Sequence, residues 1–422
     1  MWTRLTGRGG RGPAPLAVLT ALLVAGLVCP AVVPARISSL TDAEDRLDPL
    51  APALVAGLQS TSAGVRARAA TAYGRIQTPA CVDPLLKLLG DKTPAVRRAA
   101  LFALGQLAWK PAFTDGREAE IADDITPFLG DGDLSVRLAA IEAIGKIGLA
   151  HTPDQAGALL ADSSARVRAE TLLALFRYRF LLRQRDPDQA PPDLPQAIVD
   201  QLPALAADED VTARRNVIYG FARFRDERGL SMAIDLSADS YVWTRFFALI
   251  ALTKIADPAA MAAIEARLSD RSAIVRRADV QAAAAIGRGE LLSGSVADAV
   301  PHVRSAVATA LGAAAGVSDE EAAAWLRRLA ADRSGEVRCA AVKALGARLK
   351  AAAAGDVLAA MSDANEYVRA AAVAAAAFLA GDSRQTIVDL ALADGSVAVR
   401  CALLALLAGD PSAEAFAVIE DW

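Results

Sequence analysis

The chain has 422 residues, 54% of them hydrophobic and only 5% aromatic, with a formal charge of −4. That length admits two or three ordinary domains or one elongated repeat array, and alanine, the best helix former, supplies much of the apolar content. An acidic balance speaks against a nucleic-acid binder, whose polyanionic partner calls for a basic excess.

The first element reads as a targeting segment. Arg4, Arg8 and Arg11 precede the apolar run Leu16–Val28, and no charge falls between Arg11 and Arg36. Residues 1–35 fit a signal peptide cleaved after Ala35, with Val33 and Ala35 as the small-residue signal. The uncharged run is also long enough to remain as an N-terminal membrane anchor. Lipidation of Cys29 is a third reading, although Val28 is not the small residue expected just before a lipidated cysteine. All three export the body of the chain, as a periplasmic, secreted or membrane-anchored protein. Three cysteines then remain, Cys81, Cys339 and Cys401, an odd number that cannot all pair internally. They read as small buried apolar residues.

From about residue 40 the chain repeats itself. Thr41 and Glu44 have capping-box spacing ahead of a first helix. An Asp six positions before an Arg then recurs as Asp91–Arg97, Asp131–Arg137, Asp162–Arg168, Asp208–Arg214 and Asp239–Arg245. It continues as Asp270–Arg276, Asp298–Arg304, Asp332–Arg338, Asp363–Arg369 and Asp394–Arg400, with Ser60 and Arg66 as a weaker first copy. The Arg-to-Arg steps are 31, 40, 31, 46, 31, 31, 28, 34, 31 and 31 residues, which is a repeat array. Each unit reads as an apolar helix, a turn carrying the Asp, and a second helix with apolar residues at helical spacing. Gly74, Gly105, Gly145, Gly312 and Gly346 read as closing second helices. Two helices of this length cannot bury both faces alone, so neighbours supply the core. Residues 412–422 read as a last covering helix.

Asp and Arg six apart, followed by V-R-x-A-A-x-x-A-L-G, resemble a HEAT repeat, and the short period is similar to the HEAT-like repeats found in phycobilisome lyases. The resemblance implies an all-α fold, an α-solenoid of about eleven two-helix repeats over residues 36–422. It also implies that the recurring Asp and Arg form a ladder from each repeat to the next, with the second helices lining a concave side. The physics agrees: an Asp in the turn can cap the second helix, and an Arg fork can reach carboxylates or carbonyls of two successive turns. A catalytic residue need occur once; these occur in nearly every unit.

Function is therefore sought where the repeats differ. The two long steps add segments near 109–120 and 183–196, the latter rich in proline. Ten of the 21 aromatic residues lie between Phe176 and Phe247, interleaved with Arg177, Arg179, Arg183, Arg185, Arg215 and Arg223, the residue types that anchor recognition surfaces. Half of those aromatics are expected to fill the core. Positions one, five and nine after the ladder Arg share one side of the second helix. At the ninth position the first six units carry Arg75, Gln106, Lys146, Arg177, Arg223 and Lys254, a polar and mostly cationic stripe, whereas the last five carry Ala285, Ala313, Ala347, Phe378 and Gly409. The candidate partner-binding residues are Arg98, Phe102, Arg177, Tyr178, Arg215, Tyr219, Arg223, Trp243 and Phe246. Glu170 and Asn216, two places after their ladder arginines, are expected to be satisfied locally by neighbouring arginines, and Asp279 is a similar isolated case.

Tests for an enzyme are negative. The two histidines, His151 and His302, lie far apart, neither is followed by Glu, and no metal spacing, P-loop or nucleophile elbow occurs. The favoured function is a non-catalytic scaffold of the cell envelope that binds another protein or peptide on its concave surface, with no cofactor, no metal and no nucleic acid, and its oligomeric state open. A lyase-like or chaperone-like protein handling a chromophore or prosthetic group is the alternative, and a nucleic-acid-binding HEAT protein the second.

Overall fold

The computed structural model describes residues 37–109, 114, 116–148, 152–185, 188, 193–223 and 226–408. The expected targeting segment 1–35, the expected last helix 412–422, His151, Phe224 and Gly409 lie outside the described residues, and of the Arg185 side chain nothing is said. Among the described residues there are helices and turns and no strand.

Each repeat contributes one second helix, and these are numbered by repeat. They are α1 (Ala63–Ile76), α2 (Pro94–Leu107), α3 (Leu134–Ile147), α4 (Ala165–Arg185), α5 (Val211–Arg223), α6 (Val242–Ile255), α7 (Ala273–Ala285), α8 (Pro301–Leu311), α9 (Gly335–Leu349), α10 (Glu366–Ala375) and α11 (Val397–Ala408). The fold is all-α, an α-solenoid by repeat type, as the period implies. The chain divides into two compact units, residues 1–117 with α1 and α2, and residues 118–422 with α3 to α11.

First helices are short, such as Val82–Leu88 and Met261–Arg267, and the odd steps have local causes. The 28-residue step arises because the eighth repeat replaces its first helix by a 3-10 run, Gly289–Ala297. The 34-residue step accommodates a longer first helix, Asp319–Ala330, opened by a capping box between Ser318 and Glu321. In the 46-residue step α4 itself runs on to Arg185, so Arg183 and Gln184 are helical rather than loop. Past that segment Leu194 is buried, and Asp193 lies 3.6 Å from Arg179 and 3.4 Å from Arg228. Of the first insertion, Thr114 is buried, Gly116 turns at positive φ, and Arg117 pairs with Asp83 at 2.8 Å.

Gly312 closes α8 as expected, but the other four glycines do a different job. Gly74, Gly105, Gly145 and Gly346 lie inside their second helices instead of closing them. Eight places after the ladder Arg, Gly74, Gly145 and Gly346 let the next second helix come close. A Cβ on Gly145 would lie 2.6 Å from the Ala174 Cα, and one on Gly74 2.9 Å from the Ala103 Cα. The partner is an Ala six places after the next ladder Arg. Between α4 and α5 the pair is exchanged: Phe176 takes the glycine place and Gly220 the alanine place, where a Cβ would meet the Phe176 ring at 1.8 Å. Large and small swap while the packed volume is kept.

The expected capping box at Thr41 and Glu44 is also corrected, because helix Ile37–Asp45 runs through both. Glu44 is buried there and holds Arg68 and Arg75 of α1. Of the cysteines, Cys81 is buried as expected, Cys339 is half-buried and Cys401 is exposed.

Candidate functional site

The Asp–Arg pairs are placed by the turn between helices. Each Asp accepts the N–H of the residue two ahead, as Asp270 does from Ser272 at 2.8 Å, so it orders the residue before the helix. Direct capping falls to other side chains, for example Asp133 on the N–H groups of Ser135 and Val136. The ladder Arg then turns back. One guanidinium nitrogen donates to the backbone carbonyl of its own Asp, and the other two grip the carboxylate of the next. Arg245 donates to Asp239 O at 2.9 Å and to both oxygens of Asp270 at 2.8 and 3.0 Å.

The same fork joins Arg66 to Asp91, Arg168 to Asp208, Arg214 to Asp239 and Arg276 to Asp298. It also joins Arg304 to Asp332, Arg338 to Asp363 and Arg369 to Asp394. Arg97 and Arg400 reach their own turn carbonyls, Asp91 O and Asp394 O. One expected rung differs: Arg137 donates to Asp131 O, but it makes no ion pair with Asp162 among the described residues, and its buried Nε has no partner. Its guanidinium is held by its own turn.

The carboxyls of Asp91, Asp208, Asp270, Asp298, Asp332, Asp363 and Asp394 are held low. At Asp298 the Arg276 fork outweighs burial. At Asp270 burial pushes the carboxyl up, and the Arg245 fork with the Ser272 N–H more than reverses it.

The residues that vary between repeats fall into two groups. Tyr178 is 2% exposed, and Phe176 and Phe221 are buried with it, so these aromatics are core. Tyr178 is thereby corrected as a partner contact: its side of α4 is turned into the protein. Arg179 is buried too, 3.6 Å from both Asp193 and Asp226, and belongs to the network that ties down the second insertion. Burial comes first in pulling its pKa below the usual arginine value.

Trp243 and the half-buried Phe246, Phe247 and Tyr219 make a ring cluster that reaches the surface. Trp243 is 41% exposed and stands edge-on to Phe246, their ring centres 5.7 Å apart. Phe246 meets Phe247 at 5.3 Å, and Phe247 meets Tyr219 at 5.0 Å, both edge-to-face. Arg223 lies over the rings of Phe180 and Tyr219 at 5.6 and 5.5 Å. The Lys254 ammonium donates to the Arg223 carbonyl at 3.2 Å. Burial, and after it the charges of Arg223 and Arg183, lowers the Lys254 pKa. Arg215 holds the Asn216 side-chain oxygen, and Asn216 in turn donates to Ala169 O at 2.7 Å. Arg177 pairs with Glu170 at 2.6 Å. The two polar residues are satisfied locally, as expected. Arg98 and Phe102 are exposed on α2, in the other unit.

The expected cationic stripe is narrower than its sequence. Arg75, Lys146 and Arg177 are neutralised by Glu44, Glu142 and Glu170. Arg223 and Lys254 are the ninth-position cations with no carboxylate partner among the described residues, and they lie beside the aromatic rings.

Beyond the rings, the same positions of α7 and α8 line an open groove of about 660 Å³. Ala285, Ala306, Ala310 and Ala313 form its small-residue lining, with Arg277 and Gln281 on one side. At the far end His302 contacts Glu336 at 2.8 Å. Sequence reading did not find this groove, because its residues are individually ordinary. The one available signal was the alanine at the ninth place after the ladder Arg in both repeats, Ala285 and Ala313. Among the described residues no cluster of His, Cys, Asp and Glu is arranged to hold a metal, and no helix is long and apolar enough to cross a membrane.

Comparison with known proteins agrees with this geometry. Residues 51–115 and 290–377 match the family of HEAT repeats. Among curated proteins none matches the sequence. Among solved structures, YibA of Escherichia coli is 20% identical, with 58% of this chain and 86% of that one covered and a TM-score of 0.44. An engineered protein is 18% identical, over 83% of this chain and 96% of that one, with a TM-score of 0.42. A chain from the complex of Kap95p with RanGDP is 12% identical, over 91% of this chain and 60% of that one, with a TM-score of 0.54, a likeness of fold. Family match, repeat spacing and helix-pair packing agree, and the chain carries HEAT repeats.

Proposed function

We propose that this protein is an exported, non-catalytic scaffold that binds another protein across the second helices α4 to α6. The observation that carries this is the cluster of Trp243, Phe246, Phe247 and Tyr219 with Arg223 stacked on it, at positions the ladder leaves free. Aromatic and arginine side chains dominate the energetics of protein interfaces, and a ring left largely in water gains most from a partner that covers it. Kap95p, on a similar fold, binds another protein, RanGDP. Export rests on Arg4, Arg8 and Arg11 followed by the uncharged run to Ala35.

The test is affinity capture from the envelope fraction of the source organism, with the captured protein identified by mass spectrometry. Wild-type protein is expected to retain a specific partner. Tyr219→Ala/Trp243→Ala/Arg223→Ala is expected to lose it while keeping its helical signal and melting behaviour. Equal retention of the same partner by the triple variant would sink the reading.

A further inference from the structure

The second helices α5, α6, α7 and α8 hold a single acidic residue between them, Asp279, and that residue is fully buried. Their ladder arginines, Arg214, Arg245, Arg276 and Arg304, are each taken up by the Asp of the next repeat. Four cations remain: Arg215, Arg223, Lys254 and Arg277. None of them pairs with a carboxylate among the described residues. Arg223 and Lys254 are in contact, and the first rests on aromatic rings. Arg277 is exposed at the rim of the alanine-lined groove. In a protein of net charge −4, a run of four helices has thus been cleared of exposed acid. Like charges held together without a counter-charge cost free energy, and an anionic occupant removes that cost.

Resting on the protein-binding reading above, we infer that the partner presents an extended acidic segment carrying a bulky apolar residue, laid across α5 to α8 with that residue against Trp243. Neighbouring packed helices are ~10 Å apart and an extended chain rises ~3.3 Å per residue, so about nine residues cross the four helices. Acidic side chains about every third residue then meet Arg223 or Lys254 and, further on, Arg277. The small side chains of Ala285, Ala306 and Ala310 leave room for a backbone to lie close. Single-stranded nucleic acid fits less well. The rings pack edge-on against one another, so they offer no series of open faces for stacked bases.

Three fluorescein-labelled probes on the full chain test this: a random copolymer of Glu and Tyr, polyglutamate, and oligothymidylate. The Glu–Tyr copolymer is expected to bind tightest, and more weakly as salt is raised, since screening shortens the reach of surface charges. Arg223→Glu/Lys254→Glu should weaken it by about tenfold or more, as reversal of an electrostatic contact does. Trp243→Ala should weaken the copolymer more than polyglutamate. Arg328→Glu, on the exposed side of the first helix Asp319–Ala330, should change neither. All substituted residues are solvent-facing, and thermal melts verify folding. Copolymer binding that is absent, or unaltered by Arg223→Glu/Lys254→Glu, would overturn the inference, as would tighter binding of oligothymidylate. If the triple variant loses its captured partner while the copolymer never binds, the protein-binding face stands and the acidic segment falls.

Discussion

The patch on α4 to α6 and the groove on α7 and α8 occupy the same positions of successive second helices, yet share almost no residue types. Tyr219 and Phe246 on one side correspond to Gln281 and Ser305 on the other. Beneath them the two regions are alike, with one Arg fork per step and the same Asp-held turn. The contrast teaches that the seam fixes how the helices stack, while the face above it is free to vary. Recognition is therefore to be sought in the side chains that change from copy to copy.

The largest expected effect breaks what both regions share. The Arg245–Asp270 rung joins the patch helix α6 to the groove helix α7, and both side chains are 4% exposed. Arg245→Ala leaves Asp270 buried without its partner, which costs about 3–5 kcal/mol. Chemical denaturation should show that loss, and the loss should shrink on acidification as the carboxyl is neutralised. Unchanged stability would contradict the structural role of the ladder. The carboxyls of Asp298, Asp332 and Asp363 have folded-state pKa values below their unfolded ones, so their contribution is complete above about pH 4 and disappears as pH falls through the lowered values.

A second break concerns helix approach. Gly145→Val in α3 would drive a side chain into the Ala174 backbone, and overpacking of this kind costs about 1–3 kcal/mol or more. The opposite outcome, a variant as stable as wild type, would mean that the neighbouring helices can slide apart freely.

Asp279 sharpens the comparison from below. It lies fully buried on α7, where the corresponding residues of α6 and α8 are Ala248 and Val307. Neither of its carboxylate oxygens has a hydrogen-bond partner among the described residues, and burial pushes its pKa up to about 9. The folded state therefore holds a proton that the unfolded state releases near pH 4, and stability declines as pH rises from there towards 9. Asp279→Val should stabilise the protein, with a gain growing on the order of 1 kcal/mol per pH unit between pH 5 and pH 8. Equal melting shifts at both pH values would show that the carboxyl is not held neutral.

Much of this architecture was legible because a repeat repeats its physics. The Asp–Arg spacing located the eleven second helices, and the local neutralisation of Glu170 and the capture of Asn216 by Arg215 followed from neighbours on the same helix. What the sequence hid depends on contacts between repeats. Glycine inside a helix looks like a terminator until the Ala of the next helix is seen beside it. Tyr178 and Trp243 are both aromatics in an arginine-rich stretch, and only the packing of α4 shows that the first is core. Arg75 and Lys146 read as free cations because their acids sit on another helix or one turn back.

The smallest expected effect separates the face from the seam most cleanly. Trp243 is the most exposed ring of the patch, and its removal takes away two ring contacts while uncovering little of the core. Edge-to-face pairs are worth about 0.5–1.5 kcal/mol each when buried, and less where water reaches one side. Trp243→Ala should therefore shift the melting temperature by only a few degrees, by the usual scaling for a protein of this size. Its effect on partner retention should be far larger, since truncating a central aromatic anchor typically costs about 2 kcal/mol or more of binding. A variant that melts much earlier than wild type would place Trp243 with the core aromatics and make the patch a packing feature. A variant that melts alike and binds poorly would show that α6 keeps this ring in water for the sake of what covers it.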